Sequence, residues 1–273
     1  MASRWLSFLL AVIAVLGLAS PGAQARAAGQ PLSLSLGYDG RLLIKVLDIQ
    51  IDATATDASF DTKARLQSTG ILALLKHINE VTASQGRIVD GAPRPGRFDY
   101  QHLSGKSHRK VHVVWADGDV AMTATPAFGS LGDPPASREQ KLAAADPLTS
   151  LLRLTLTGAR ETVCRQSYLF FDGKQLYALD LSNPRQAPPS DTETRLGLAN
   201  HFRCDMRFRE VAGFGKKPPE KRNQGLQRPV DLDFAQIGQG GPWVISRLHA
   251  RTPLGWATIE LKRLKLNGSA IAG

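Results

Sequence analysis

Apolar and polar residues alternate with a period of two along several stretches of this chain. Leu47, Ile49, Ile51 and Ala53 alternate with Asp48, Gln50, Asp52 and Thr54. Phe60, Thr62, Ala64 and Leu66 alternate with Asp61, Lys63, Arg65 and Gln67, and Phe202, Cys204, Met206 and Phe208 with Arg203, Asp205, Arg207 and Arg209. Successive side chains of a strand point to opposite faces, so each stretch has one apolar and one wet face. This predicts antiparallel sheet, because strands of a buried parallel sheet are apolar on both faces. The pairs Asp39-Gly40, Asp90-Gly91, Asp117-Gly118 and Asp172-Gly173 punctuate the chain. Asp-Gly tolerates the positive φ angles of a tight turn, so each pair predicts a hairpin.

Two helices are expected among the strands. Ile71, Leu74, Leu75 and Ile78 have the spacing of one apolar helical stripe. Asp146-Pro147 predicts a helix start, with Asp as N-cap and Pro in the first helical position ahead of Leu148, Leu151 and Leu152. Loops rich in Pro and charge cover residues 125–145, 183–200 and 215–229, and no internal repeat is present. The expected fold is mostly β: a single antiparallel curved sheet or open β-barrel with one or two short helices. A two-sheet sandwich is the competing architecture.

The N-terminus reads as an address. Arg4 precedes an apolar run over residues 5–18, which as a helix reaches about 21 Å, short of the roughly 30 Å hydrocarbon core. Ser20-Pro21-Gly22 ends the run, and Ala23-Gln24-Ala25 has the small-x-small pattern of a signal-peptidase site. Residues 1–25 are therefore expected to be a cleaved signal peptide, and 26–273 a single β-rich exported domain. No cysteine lies near the cleavage site, so the periplasmic product is not expected to be a lipoprotein. A hydrophobic content of 42% suits a folded chain, and 34 Lys+Arg against 24 Asp+Glu give a net charge of +10.

Cys164 and Cys204 are the two cysteines, and an exported chain meets an oxidising compartment. If Asp172-Gly173 is a two-residue turn, Phe171 pairs with Lys174 and Tyr168 with Tyr177. Cys164 then shares a face with Tyr168, Phe170, Tyr177, Leu179 and Leu181, and Cys204 lies on the apolar face of its own strand. Two inward thiols predict a buried disulfide, which for a loop of this length contributes about 4 kcal/mol in the loop-entropy treatment. His201 is close in sequence to Cys204, but residues three apart on a strand point to opposite faces, so a catalytic Cys-His pair is not expected.

No catalytic template fits. His108 and His112, with His102 upstream, would share a metal on a helix, but Val111, Val113, Val114 and Trp115 make this a strand, where four residues span about 13 Å. Asp48 and Asp52 share a face at the same separation, wider than the usual glycosidase pair. Gly105-Lys106-Ser107 lacks the earlier glycine of a phosphate loop, since Tyr100 stands there. Gly213-Phe214-Gly215 and the run from Gly238 to Gly241 lack a strand–helix context. Asn267-Gly268-Ser269 fits a glycosylation sequon of the kind frequent by chance. No catalytic residue, metal site or cofactor is assigned. Basic residues concentrate in two places. Arg203, Arg207, Arg209, Lys216, Lys217, Lys221, Arg222 and Arg228 form one group, the first seven of which are candidates for anion binding, and Lys106, His108, Arg109 and Lys110 form another.

Asp146-Pro147-Leu148-Thr149, Cys164, the run from Phe171 to Tyr177, Cys204 and Ala212-Gly213-Phe214 resemble the exported bacterial family known as domain of unknown function 3108. The resemblance extends from about Tyr38 to about Leu266, and its motifs are turns, caps and cysteines. It implies a Gram-negative envelope protein without an assigned activity. The curved sheet is similar, at the level of fold, to half-open β-barrels that carry lipoproteins or lipids across the periplasm. The expected function is a non-enzymatic periplasmic protein that holds a lipid or other amphiphile, or an envelope protein partner, and supports envelope integrity. Two alternatives stay open. One is an interaction module that docks on anionic envelope surfaces, in peripheral contact with the membrane, through its basic face. The other is an uncharacterised hydrolase built from His102, His108, His112 or His249 with a carboxylate. Nucleic acid is not an expected partner, and the oligomeric state is not predicted.

Overall fold

A computed structural model describes residues 31–273, apart from 76, 105–107, 158–159, 217–228, 253–254 and 272–273. The described residues form one antiparallel sheet of fourteen strands. The first meander comprises β1 (Leu32–Arg41), β2 (Lys45–Ala55), β3 (Ser59–Ser68), β4 (Asn79–Val89), β5 (Ala92–His102), β6 (Lys110–Ala116) and β7 (Asp119–Thr125). The second comprises β8 (Ser167–Phe171), β9 (Leu176–Gln186), β10 (Leu198–Ala212), β11 (Val230–Ile237), β12 (Trp243–Thr252) and β13 (Gly255–Leu266). A two-residue β14 (Ser269–Ala270) pairs with β13. The spatial order is β7-β6-β5-β4-β3-β2-β1-β13-β12-β11-β10-β9-β8. Every neighbour in it is a chain neighbour except β1 and β13, whose pairing sews the two meanders together. This is the curved single sheet read from the sequence, and the sandwich is excluded.

The sheet curls without closing. Among the described residues β7 and β8, the two ends, share no ladder. Side chains join them instead: Phe171, Leu176 and Ala212 of the second meander share a core cluster with Phe98, Val111, Val113 and Val120 of the first. Gly173 sits at the contact with a φ of 97°, and a Cβ there would run into Val111 and stand 3.1 Å from Val113. Five short helices complete the described structure: α1 (Gly70–Leu75), α2 (Arg138–Ala143), α3 (Pro147–Thr157), α4 (Arg160–Val163) and α5 (Asp191–Arg195). Thus α1 and α3 lie where two helices were expected, and three further turns of helix sit in loops.

The sheet wraps around α3, which touches β3, β4 and β5 on one side and β8 and β12 on the other. Asp146 anchors its first turn. The carboxylate accepts from the backbone N–H groups of Leu148 (3.0 Å) and Thr149 (2.9 Å), as an N-cap should. It also accepts from the hydroxyls of Thr149 and of Ser84 on β4, the latter at 2.9 Å. All three residues are buried, and burial pushes the Asp146 carboxyl above its ordinary range despite these bonds. One residue earlier, Ala145 forms a parallel bridge to Phe170 on β8.

The Asp-Gly pairs divide. Asp90-Gly91 and Asp117-Gly118 are two-residue hairpins, with Val89 opposite Ala92 and Ala116 opposite Asp119, and all four turn residues have positive φ. Asn267-Gly268, read as part of a sequon, makes the same turn between β13 and β14. Asp39-Gly40 is not a turn. It continues β1, with Gly40 opposite Leu47, and the chain reverses at residues 42–44. Asp39 is neutralised there by Lys45 at 2.7 Å. The Asp172-Gly173 turn is longer than expected: Phe171 pairs with Leu176 instead of Lys174, and Tyr168 with Leu179 instead of Tyr177. The Asp172 carboxylate accepts from the N–H groups of Lys174 (2.9 Å) and Gln175 (2.7 Å), which stabilises a four-residue loop. The slip is by two residues, so the faces stay as predicted. In the short α1 the expected apolar stripe is not buried: Ile71 is 56% exposed and Leu74 87%.

Cys164 and Cys204 form a disulfide with Cα atoms 5.4 Å apart, closing a sequence separation of 40. Cys164 lies in the turn after α4 rather than on a strand, and Cys204 lies on β10; both are fully buried in one cluster with Phe202, Leu232 and Phe234. The chain carrying Cys164→Ala and Cys204→Ala is expected to be about 4 kcal/mol less stable, measured as a fall in its urea midpoint. Asp146→Ala removes a cap and the shared acceptor of two buried hydroxyls, which are left with only their 2.9 Å contact to each other, a loss of about 3 kcal/mol. Asp146→Asn keeps the cap acceptor and is expected to lose less than half of that. Equal losses for the two Asp146 variants would contradict this account of the anchor.

Candidate functional site

The inward rows of the alternating strands do not fill the curl. An apolar cavity of about 330 Å³ lies between α3 and the concave face of the sheet. Ile49 and Ile51 of β2, Tyr38 of β1 and Ile259 of β13 form one wall. Leu179 and Leu181 of β9, Met206 of β10, Leu232 of β11 and Ile245 and Leu248 of β12 form the other. Leu148, Leu151 and Leu154 close it from α3. The polar atoms of the lining side chains are the hydroxyls of Tyr38 and Tyr168, and that of Tyr38 is spent on the carbonyl of Ile245 at 3.0 Å. The volume falls within the roughly 300–1,000 Å³ of ligand sites and is about twice that of apolar cavities that stay dry and take up benzene.

A second cavity, of about 600 Å³, shares Pro147 with the first and, unlike it, has charged side chains among its apolar ones. Strands β4 and β5 supply Glu80, Tyr100 and His102, the residue before β6 supplies Arg109, and the β8–β9 loop supplies Asp172 and Lys174. The Arg109 guanidinium lies 4.7 Å from the Phe128 ring centre and the Lys174 ammonium 5.4 Å from it. Arg109 Nε is buried without a hydrogen-bond partner. Burial pushes the Asp172 carboxyl up, against the pull of the backbone N–H groups it caps. Burial also raises the Tyr100 hydroxyl, and the neighbouring Glu80 adds to the effect.

This cavity brings one of the candidate histidines to a carboxylate. His102 Nδ1 lies 3.2 Å from Glu80 Oε1, and its Nε2 lies 3.3 Å from Ser104 Oγ. The order resembles a nucleophile relay, but Ser104 is only 6% exposed. Its hydroxyl donates to the carbonyl of His77 at 2.8 Å and accepts from Asn79 N–H at 3.2 Å. Ser104 therefore clamps the loop to β4, and its oxygen is not presented to a substrate. The other candidate histidines lie apart from this cavity: His112 pairs with Asp99 at 2.8 Å, His108 is exposed, and His249 meets Trp256 edge to face. Among the described residues no three His, Cys, Asp or Glu side chains converge to hold a metal.

The anion-binding candidates scatter. Lys217, Lys221 and Arg222, with Arg228, lie outside the described residues. Arg203 is bonded to Asp233, which also accepts from Arg247 Nη2 at 2.6 Å. Arg185 bridges Asp205 and Asp231, each at 2.6 Å, and Arg209 bonds Asp180 at 2.8 Å. Lys216, largely exposed, lies 3.8 Å from Asp133, and Arg207 is exposed on β10. The charged side of β9–β12 is thus an ion-pair ladder, with most of its positive charge met by acids on adjacent strands. Sequence reasoning placed Arg109 in a small basic cluster but did not find Glu80, Tyr100, Phe128 or Lys174. No spacing joins them, because only the curl of the sheet brings the β8–β9 loop over β5 and β6.

No protein-family model matches the sequence, and no curated protein matches it. Among solved structures, the chain is similar to the crystal structure of a beta-barrel-like protein of domain of unknown function DUF1849 from Brucella abortus. The identity is 9% and the TM-score 0.46, over 89% of this chain and 99% of that one.

Burial alone would raise the carboxyl of Asp233, but hydrogen bonds from Arg203 and Arg247 outweigh it and hold the group below the ordinary range. A carboxyl depressed in the folded state adds stability above its unfolded pKa of about 3.9 and loses it as pH falls toward the folded value. Urea midpoints are expected to hold level from about pH 7 to pH 5 and to drop below about pH 4. Asp233→Asn leaves Arg247 unmatched and Arg203 with Asp231 at 3.5 Å. It is expected to cost about 3 kcal/mol at pH 7 and to make the acid drop shallower, and an unchanged acid slope would show that Asp233 does not carry it.

Proposed function

We propose that this chain is a non-enzymatic periplasmic protein that holds a single-chain amphiphile, with the hydrocarbon tail in the apolar cavity between α3 and the sheet. The cavity carries the reading. Water there would find almost no hydrogen-bond partners, whereas an alkyl chain would touch aliphatic side chains on every side. The N-terminal apolar run with its Ala23-Gln24-Ala25 site supports export, and the resemblance to exported proteins of domain of unknown function 3108 points the same way. In this role the protein shields a poorly soluble molecule in the aqueous compartment and so supports the envelope. The buried Ser104 favours this reading over a hydrolase, and the ion-pair ladder favours it over docking through the β10 arginines.

Calorimetric titration of the delipidated protein with 1-dodecanol tests the tail site. One molecule is expected to bind per chain and to raise the melting temperature as the ligand is added in excess over Kd. Leu151→Trp places an indole in the cavity. It is expected to weaken dodecanol binding at least about tenfold without lowering the melting temperature. Undiminished binding by a folded Leu151→Trp chain would place the alkyl chain elsewhere and defeat the proposal.

A further inference from the structure

We infer that the polar cavity beside Pro147 receives an anionic head group, a carboxylate or a phosphate, so that the amphiphile is an acid rather than a neutral lipid. This rests on the tail reading above and specifies the ligand's other end.

Three observations carry it. First, the two cavities adjoin. Pro147, the first residue of α3, lines both, so a head group carried by a tail under the helix would reach the polar cavity past Pro147. Second, this cavity holds two cations without a salt bridge among the described residues, although Lys174 lies within the field of Asp172. Among the described residues neither Arg109 nor Lys174 forms an ion pair, and both are held against the Phe128 ring, at 4.7 and 5.4 Å. A cation over an aromatic face is oriented without being neutralised, which leaves its N–H donors for an incoming anion. Third, Arg109 Nε is buried without an acceptor. A buried donor left unpaired is costly, and a carboxylate or phosphate oxygen would satisfy it with a charge-assisted hydrogen bond.

The carboxylates of the cavity do not take this role. Glu80 is engaged by His102 at 3.2 Å. Asp172 accepts from the backbone of its own loop, at 2.9 Å from Lys174 N and 2.7 Å from Gln175 N. Both are thus committed within the protein, while Arg109 and Lys174 line the cavity beside the Phe128 ring. An alcohol head would leave the cations unmatched, and an inorganic anion would leave the apolar cavity unfilled.

The test compares dodecanoate, dodecyl phosphate, 1-dodecanol and inorganic phosphate by calorimetry on the delipidated protein. Dodecanoate and dodecyl phosphate are expected to bind at least about tenfold more tightly than dodecanol, and inorganic phosphate far more weakly than dodecyl phosphate. Rising salt should shrink the preference for the acids. Arg109→Gln is expected to bring dodecanoate down to the affinity of dodecanol while leaving dodecanol unchanged. Lys174→Gln, at a half-buried loop position, supplies the same measurement if Arg109→Gln lowers the melting temperature. If dodecanol binds as tightly as dodecanoate, the head-group inference is overturned and the tail site stands. If inorganic phosphate matches dodecyl phosphate, the cavity serves a free anion and the inference is likewise overturned. If none of the dodecyl compounds binds, the tail reading falls and the head-group inference falls with it. An acid preference that survives both glutamine variants would also overturn it.

Discussion

A sheet of this many strands with one apolar face cannot lie flat in water. Open, strongly twisted sheets rarely exceed about ten strands without curling or splitting, and thirteen are joined here in one path. Curling hides the apolar face, but a curl this wide leaves an interior that strand side chains cannot fill from both sides. A helix must enter it, and α3 does so. Its position is set by Asp146, whose carboxylate is bound at once to the helix N-terminus and to Ser84 of β4. Both cavities follow from that arrangement, because each is bounded by the first turn of α3 and the strands around it.

The open ends of the sheet would invite pairing with other chains. Each is covered by a piece of the connection between the meanders. At β8, Ala145 bridges to Phe170 and takes up the backbone groups of Leu169 and Phe171. At β7, α2 packs alongside, with Arg138 bonded to Asp119 at 3.2 Å and Trp115 Nε1 donating to the carbonyl of Lys141. The segment that brings α3 into the curl thus also covers both edges, which explains why the sheet stops short of a barrel.

Period-two patterning made the strands legible because it is a local property, and so were Asp146-Pro147 and the two short hairpin turns. Asp39-Gly40 misled because the same residues suit an antiparallel strand where a glycine must pass close to a neighbour: a Cβ on Gly40 would stand 2.8 Å from that of Leu47. The Asp172 loop misled because its side chain caps backbone groups that a tighter turn would have paired. The basic residues on β10 were visible, but the acids that meet them lie on β9 and β11, and only the ladder register sets Arg203 opposite Asp233. The polar cavity was the least legible part. Glu80 and Lys174 are distant in sequence, and the curl of the sheet alone brings them to one cavity.

The disulfide gives α3 a second fastening. Asp146 holds the start of the helix to β4, and Cys164, just beyond α4, is bonded covalently to Cys204 on β10. The start of α3 and the turn after α4 are thus each tied to a different strand of the sheet. In a reducing compartment the disulfide would be missing, and β10 would lose its covalent tie to the turn after α4.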